Sequence, residues 1–277
     1  MSQNVFKYPG GKTQMADWIS SHFPQHECFV EVFGGSAAVM ANKDPSKVEV
    51  YNDLDGDLVH FFVTMRDNTQ ELIEWLRDTP HSRELHDKYA QEFYNGVRPD
   101  NDIKRAGRFF YLRETQFAAK YSDPSGYNGS AGTNPASNYA NKRERLTRWS
   151  KRFNNVQIEQ LDYADLFDRY DSADTLFYLD PPYVQEGDDL YSHGEFNHER
   201  LVYELSKIKG DWCVSYTDLP PGLEDISETV ATKEQRYRMA QGQHDWEKTN
   251  TERLVMNYDP KQESMFSCDN ANLEAYL

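Results

Sequence analysis

The sequence is poor in cysteine and has no long apolar run. Its 277 residues include three cysteines, Cys28, Cys213 and Cys268, which lie far apart and without the spacing of a metal site. No stretch of about 18 apolar residues is present, so a membrane span is not predicted. The first residues, MSQNVFKYPGGK, lack the apolar region of a secretory signal. We therefore expect a reduced, cytoplasmic protein without a bound metal, or one in the host-cell cytoplasm if the gene is viral.

Basic charge is also scarce. The chain has 30 Lys and Arg residues against 46 Asp and Glu residues, a net charge of -16, which at first argues against a nucleic-acid partner. This acidity fits a high-salt cytoplasm or ordinary solubility, and the sequence does not separate the two. The positive charge is nevertheless concentrated, because residues 104–152 hold eleven basic residues and three acidic ones.

This basic cluster, residues 104–152, has two interpretations. It predicts a surface that binds a polyanion, or it forms the solvated faces of two helices. Within it, residues 121–141 are rich in Gly, Ser, Asn and Pro, and we interpret them as a DNA-contacting loop. The basic members are Lys104, Arg105, Arg108, Arg113, Lys120, Lys142, Arg143, Arg145, Arg148, Lys151 and Arg152.

The stretch LFYLDPPYVQ, residues 176–185, has the pattern of a buried strand followed by a functional turn. Its four apolar residues predict a strand that ends at Asp180. Pro181 and Pro182 stop the strand and leave carbonyl groups that accept hydrogen bonds, and Tyr183 adds a flat ring. Such a pocket suits a planar group that carries an NH2, such as adenine or cytosine. The alternative interpretation is a plain Pro-Pro turn with a capping aspartate.

A second pattern, FVEVFGGSAAVM at residues 29–40, predicts a strand, a tight turn at Gly34 and Gly35, and a helix that begins at Ser36. Glycine lets a ligand approach the backbone, and a helix N-terminus offers it N–H groups. A further predicted strand closes at Asp53, where dinucleotide-binding folds hold their ribose-binding acid. The order predicts a nucleotide-type site, although the full G-x-G-x-x-G pattern is absent.

The rest of the chain alternates predicted helices and strands. Residues 57–115 are expected to be helical, and residues 141–153 to form a basic helix. A short strand before Asp162 precedes a further helix. Two later strands are expected to form an antiparallel pair at the sheet edge, near residues 227–237 and 253–259.

Four blocks then occur in a fixed order: KYPGGK, FVEVFGGS, YNDLDGDL and LDPPY. Together they resemble the Dam-like class of DNA adenine-N6 methyltransferases and cover both ends of its catalytic core. The resemblance implies an α/β fold: a Rossmann-like S-adenosylmethionine-dependent methyltransferase sheet with helices on both faces. It also implies a mainly helical inserted DNA-recognition domain. The catalytic domain would comprise residues 1–58 and 154–277, and the target-recognition region residues 59–153.

The resemblance also implies which residues bind S-adenosylmethionine as the methyl donor. Tyr8 and Lys12 would contact it, Lys12 through the carboxylate of the donor. The turn at residues 34–36 would form its loop. Asp53 would bind the ribose hydroxyls, and Asp162 would meet the adenine.

The catalytic pocket would consist of Asp180, Pro181, Pro182 and Tyr183. An adenine N6 inside a duplex cannot reach a sulfonium methyl, so the base must leave the stack. Tyr183 would stack on it, while the Asp180 carboxylate and the Pro181 carbonyl accept its amino hydrogens. These contacts would turn the nitrogen lone pair toward the methyl group and stabilise the positive charge that develops. No metal or covalent intermediate is required.

The recognition region is where the sequence departs from the family. The turn GYNG, residues 126–129, resembles one whose aromatic residue fills the gap left by the flipped base, a role for Tyr127 and Asn128. A rival alignment places this turn near residues 113–117. The arginine that follows it in GATC-reading relatives has no counterpart here, so the target sequence stays open. Further DNA contacts are expected from Lys7, Arg143 and Arg145.

Two other functions remain as alternatives. A cytosine-N4 methyltransferase can use the same amino-group pocket, although the order of the blocks favours adenine. A silent DNA-binding relative is the second, and intact Asp180, Tyr183 and Asp53 argue against it. The expected partner is double-stranded DNA rather than a membrane. A cognate restriction enzyme is a further candidate partner, and a monomer is expected.

Overall fold

The computed structural model describes residues 4–117, 126–182, 196–241 and 244–260. In this part of the chain, the strands are β1 (Cys28–Glu31), β2 (Val48–Asn52), β3 (Val156–Glu159), β4 (Thr175–Leu179), β5 (Asp211–Tyr216), β6 (Thr229–Gln241) and β7 (His244–Met256). They form one seven-stranded sheet in the order β3-β2-β1-β4-β5-β7-β6.

The first five strands are parallel, and β7 runs antiparallel to both β5 and β6. Because β1 pairs with β2 on one side and with β4 on the other, the chain changes its direction of travel across the sheet at this point. Open α/β sheets bind ligands at such a switch point, outside the carboxyl ends of the strands. Glu31 lies in register with Tyr51 of β2 and Tyr178 of β4. The predicted methyltransferase-like sheet is confirmed.

The helices connect these strands. Within the described ranges, one helix precedes β1, six lie between β2 and β3, one lies between β3 and β4, and one lies between β4 and β5. Their bounds are α1 (Ala16–Ser20), α2 (Gly56–Asp67), α3 (Thr69–Arg77), α4 (Arg83–Tyr94), α5 (Asp102–Thr115), α6 (Pro135–Glu144), α7 (Leu146–Phe153), α8 (Tyr163–Tyr170) and α9 (His198–Leu205). None of the described helices is long and apolar enough to span a membrane.

Local chemistry sets where several helices begin. The side chains of Asp55, Asn101, Asp162 and Asn197 each accept a hydrogen bond from a backbone N–H in the first turn of α2, α5, α8 and α9. Such caps satisfy groups that a helix start leaves without an intrahelical partner. Asp55 and Asp162 also lie just past β2 and β3, so the same residues end the loops that border the switch point.

Apolar side chains cover both faces of the sheet, since successive residues of a strand point to opposite sides. On one face, Tyr51 packs against Phe62 of α2, which stacks on Phe153 of α7. On the other face, Phe177 packs with α8 and α9 through Leu166 and Leu201, among others. The first core continues into α3 and α5, so the helices between β2 and β3 share it with the sheet. The predicted boundaries at residues 59–153 stay a prediction.

The helix predicted from Ser36 is not formed in this described segment, where residues 35–42 make consecutive turns. Ala37 has a positive φ of 53°, which a helix does not allow. The Glu31 carboxylate accepts hydrogen bonds from the backbone N–H groups of Val39 and Met40. These two backbone N–H groups therefore donate to a side chain of β1, whereas the sequence predicted that they would face a ligand.

Two further predictions differ from the structure. The basic helix predicted at residues 141–153 is part of two helices, α6 and α7, which meet at Arg145. In α6 the buried residue is Tyr139, and in α7 the buried stripe is Leu146, Trp149 and Phe153. Because the two helices bury different faces, the chain turns between them. The predicted antiparallel pair at the sheet edge is formed by β7 and β6, but β7 spans His244–Met256 and begins earlier than the predicted strand near residues 253–259.

Candidate active site

A cavity of about 320 Å³ opens at the carboxyl ends of the strands, at the switch point. It is large enough for a nucleotide-like ligand, since small-molecule sites start at about 300 Å³. Nine of the predicted site residues line it together: Tyr8, Lys12, Gly34, Gly35, Ser36, Asp53, Asp162, Asp180 and Pro182. Pro181 is buried beside it, and Tyr183 lies outside the described residues.

The two glycines of the turn are fixed by neighbouring aromatic rings. A Cβ added at Gly34 would lie 2.2 Å from the ring of Tyr51, and one at Gly35 would lie 2.9 Å from the ring of Tyr8. Gly35 also has a φ of 50°, which disfavours other residues. The Tyr51 hydroxyl donates a hydrogen bond to the Gly35 carbonyl at 2.8 Å. The turn thus passes close to the cavity because no side chain intervenes.

Asp53 follows β2 and closes the same turn. Its carboxylate accepts hydrogen bonds from the backbone N–H of Gly35 at 2.8 Å and of Asp55 at 2.9 Å. Burial raises the pKa of Asp53 to about 7, and these two hydrogen bonds lower it only in part. A carboxylate in this state gains from any ligand that donates hydrogen bonds to it. Asp53 directly follows β2, as predicted, and its contact with a ribose stays a prediction.

Asp180 lies directly after β4, where its side chain faces the cavity and is 21% exposed. Its Oδ1 is 2.8 Å from the Nζ of Lys12, whose side chain is only 6% exposed. The same ammonium lies 3.6 Å from Oε1 of Glu252 and donates to the Gly10 carbonyl. Lys12 therefore pairs with the predicted catalytic acid, a contact that the motif comparison did not indicate.

Two buried carboxyl groups near Asp180 were not predicted. Glu252 comes from β7, and no local pattern in the sequence distinguishes it from the other acids of that strand. Glu31 ends β1 and lines the cavity, and burial raises its pKa to about 8. Glu31 could have been predicted from the sequence, because it is an acid at the end of the first strand of a nucleotide-type fold.

The far end of the cavity has aromatic walls. Phe33, Tyr163 and Phe196 contact one another, with ring centroids 5.5 to 5.9 Å apart. Beside them, Arg200 of α9 forms a two-point ion pair with Asp162, at 2.6 and 3.1 Å. A flat aromatic group can pack against such rings. Of these residues, only Asp162 was predicted.

The residues predicted to contact DNA lie outside the cavity, and three of them gather at the carboxyl end of α5. The backbone N–H of Lys7 donates to Oε1 of the buried Glu114, and its ammonium approaches the Glu114 carbonyl. Tyr127 forms a bridge with Gln116, and the backbone N–H of Asn128 donates to the Thr115 carbonyl. Since Lys7 precedes Tyr8, this group borders the mouth of the cavity.

Tyr127 is held within that surface. Its hydroxyl lies 2.5 Å from Nδ1 of His81, and the Arg83 guanidinium lies 4.8 Å from its ring centroid. Phe117, which belongs to the rival alignment, pairs through its backbone N–H with the Gly126 carbonyl and has a side chain that is 76% exposed. The more accessible ring at this turn is therefore that of Phe117.

Much of the basic cluster is engaged within the protein. Arg143 donates to the Leu76 carbonyl and contacts Glu144, whereas Arg145 is exposed at the junction of α6 and α7. Lys104, Arg148 and Lys151 are exposed as well. Further ion pairs join Arg105 with Asp57, Arg108 with Glu92, Lys142 with Glu114 and Arg152 with Glu49.

Among the described residues, no group of three or more His, Cys, Asp and Glu side chains could hold a metal ion. The predicted absence of a metal stays a prediction. The two described cysteines, Cys28 and Cys213, are free thiols.

Comparison with known proteins gives a consistent result. The family model for D12 class N6 adenine-specific DNA methyltransferases matches residues 8–215. Type II methyltransferase M1.LlaDCHI of Lactococcus lactis subsp. cremoris is 27% identical over 210 residues, 72% of this chain and 71% of that protein. Type II methyltransferase M.CviBI of Paramecium bursaria Chlorella virus NC1A is 24% identical over 92% of this chain and 99% of that protein. A DNA adenine methylase of Vibrio cholerae serotype O1 is 24% identical over 64% of each chain.

Proposed function

This chain belongs to the D12 class N6 adenine-specific DNA methyltransferase family, and from that premise we propose that its cavity binds S-adenosylmethionine and a flipped adenine of double-stranded DNA. One observation carries this proposal: Asp53 and the paired Asp180 line a single cavity at the switch point. Asp53 offers a carboxylate to a ribose, and Asp180 offers one to an amino group.

The lining residues fit the methyl donor. Asp53 would accept hydrogen bonds from the ribose hydroxyls, and the turn at residues 34–36 would lie against the donor together with Tyr8. Phe33 and Phe196 would pack against its adenine, with Asp162 accepting from the amino group. Lys12 would contact the donor's carboxylate while it holds Asp180. When bound, S-adenosylmethionine supplies a methyl group already activated by a sulfonium.

The catalytic step needs the base amino group to be oriented and its developing charge to be stabilised. The Asp180 carboxylate and the Pro181 carbonyl would accept the two N6 hydrogens, which directs the nitrogen lone pair out of the ring plane. An acceptor placed before the reaction stabilises the positive charge on N6 in the transition state. Pro182 would shape the pocket, and Tyr183 is proposed to stack on the base.

The raised pKa of Asp53 predicts a pH-dependent cofactor affinity. The group accepts from the ribose hydroxyls when it is ionised, and burial holds its pKa at about 7. Affinity for S-adenosylmethionine should therefore increase roughly tenfold from about pH 6 to pH 8. Calorimetric titration across this range measures the change.

Asp53→Asn should remove that dependence. Glu31 also lines the cavity, and burial raises its pKa to about 8, so Glu31→Gln is the matched comparison. If Glu31→Gln abolishes the dependence and Asp53→Asn leaves it intact, Asp53 does not bind the ribose.

The turn beside the cavity mouth is proposed to fill the gap left by the flipped base. Tyr127 and Phe117 are the two aromatic candidates, and the 76% exposure of Phe117 favours it. We expect Phe117→Ala to lower the fluorescence of 2-aminopurine at the methylated position about threefold, without changing the salt dependence of binding, because no charge is lost.

Tyr127→Ala is the comparison. Since the Tyr127 hydroxyl and ring are held by His81 and Arg83, we expect it mainly to lower the melting temperature. A loss of fluorescence in Tyr127→Ala, together with normal base flipping in Phe117→Ala, would show that Tyr127 and not Phe117 fills the gap left by the flipped base.

Lys7, Asn128 and Arg145 are proposed to contact the DNA backbone, with Arg143 supporting Arg145 from α6. The exposed Lys and Arg side chains of the basic cluster attract DNA, whereas the strongly acidic remainder of the chain repels it. Specific binding should therefore depend on close fit at residues 126–134 more than on long-range attraction.

Hydrogen exchange tests the position of the cofactor site. Saturating S-adenosylmethionine should protect the backbone at residues 33–36, 52–55 and 161–164. A groove at the amino ends of the strands, lined by His26 and Ser46, provides the internal comparison. Protection confined to that groove would contradict the assignment.

Methylation of cytosine at N4 is the second candidate activity, because cytosine would present the same kind of amino group to Asp180. The family and the order of its motifs favour adenine. A monomer in the cytoplasm, with or without a cognate restriction enzyme, is proposed on the sequence alone.

A further inference from the structure

Glu252 lies at the catalytic edge of the sheet although it is remote from every sequence motif. In β7, which runs antiparallel to β5, Arg253 pairs with Tyr216, the last residue of β5. Residue 252 therefore projects just beyond the carboxyl end of β5, where the parallel strands open onto the cavity. Its side chain is 4% exposed, and Oε1 lies 3.6 Å from the ammonium of Lys12.

This contact places one ammonium between two carboxylates. Lys12 is 2.8 Å from Asp180 on one side and 3.6 Å from Glu252 on the other. All three side chains are buried or largely buried, so their interactions are screened less than on the surface. We propose that Glu252 is a positioning residue for methyl transfer, acting through Lys12 on Asp180; this rests on the proposed function.

The first effect of Glu252 is geometric. A lysine ammonium is a point charge on a flexible stem, and a single carboxylate does not fix its direction. With Glu252 behind it and the Gly10 carbonyl as a further acceptor, the ammonium is directed at Oδ1 of Asp180. Oδ1 is then occupied, which leaves Oδ2 to receive the amino group of the base.

The second effect is electrostatic. An Asp180–Lys12 pair alone is neutral, and a neutral pair attracts a developing positive charge weakly. With Glu252 the group carries a net charge of about -1, a sign that favours positive charge at N6. Other groups that face this cluster are Glu31, Tyr178, Tyr216 and, on β6, Lys233 across from Glu252.

Glu252→Gln tests the proposal, because it keeps the shape and removes the charge. The matched control is Glu234→Gln, which removes the same charge from an exposed position on β6. Single-turnover methyl transfer should fall about tenfold in Glu252→Gln and stay unchanged in Glu234→Gln. The acid limb of the rate–pH profile should move to lower pH only in Glu252→Gln, since a nearby negative charge no longer opposes ionisation of Asp180.

A second measurement does not require activity. In protein labelled with 15N-lysine, with Lys12 assigned from Lys12→Arg, the ammonium should titrate at lower pH in Glu252→Gln than in wild type. An unshifted Lys12 titration, an unchanged transfer rate, or a slower rate with an unmoved acid limb would each overturn the positioning role. Failure of the wild-type chain to methylate DNA, with a shifted Lys12 titration, would instead count against the proposed function alone.

Discussion

Replacing Asp180 with alanine is expected to lower the rate of methyl transfer at least about a thousandfold while the chain stays folded. The carboxylate lies at the end of β4 and faces the cavity, where it is the acceptor closest to the prolines of the pocket. Its loss removes both the orientation of the base amino group and the stabilisation of its charge. Lys12 keeps Glu252 as a partner in the variant, so no buried ammonium is left without a carboxylate.

Incorporation of tritiated methyl groups into DNA measures this effect, with circular dichroism as the check on folding. Asp174→Ala is the matched control, because Asp174 is an exposed aspartate at the opposite end of the same strand. Loss of a minor contact lowers a rate by about tenfold or less. A folded Asp180→Ala protein that retains about a tenth or more of the wild-type rate would therefore exclude the proposed role.

Replacing Asp53 with alanine is expected to weaken S-adenosylmethionine binding by about 10- to 150-fold. A charge-assisted hydrogen bond contributes roughly 1.5–3 kcal/mol, which corresponds to that range. The variant also loses the acceptor that fixes the backbone N–H of Gly35, so the turn itself should become less ordered. Calorimetry gives the affinity, and unchanged binding would remove Asp53 from the cofactor site.

The stability of Asp53→Asn separates binding from folding. Because burial raises the folded-state pKa of Asp53 above its ordinary value, its contribution to the free energy of unfolding falls as pH rises toward about 7. Asp53→Asn should therefore melt at or above the wild-type temperature at neutral pH. A large loss of stability in Asp53→Asn would indicate a structural role instead.

Local patterns predicted the parts of the site that each strand carries by itself. Asp53 and Asp180 directly follow β2 and β4, Asp162 lies three residues after β3, and parallel strands bring their carboxyl ends together. Gly34 and Gly35 were predicted for the same reason, but their actual constraint is the rings of Tyr51 and Tyr8. A ring that approaches from elsewhere in the fold is invisible in a local pattern.

The failures also have physical causes. The helix expected from Ser36 gives way to turns that Glu31 caps. The basic cluster was interpreted as a polyanion-binding surface or as solvated helix faces, and part of its charge is neutralised because Lys142 pairs with Glu114 and Arg152 with Glu49. Charge counted along the chain omits acids supplied by distant elements. Glu252 was missed because its relation to Lys12 arises only when β7 joins the sheet.

The identity of the methylated nucleoside tests the central claim most directly. Duplex DNA treated with this chain and methyl-labelled S-adenosylmethionine is digested to nucleosides and resolved by chromatography, in parallel with the Asp180→Ala protein. We predict label in N6-methyl-2′-deoxyadenosine for the wild type and almost none for the variant. Label in N4-methyl-2′-deoxycytidine, or equal label from both proteins, would contradict the account.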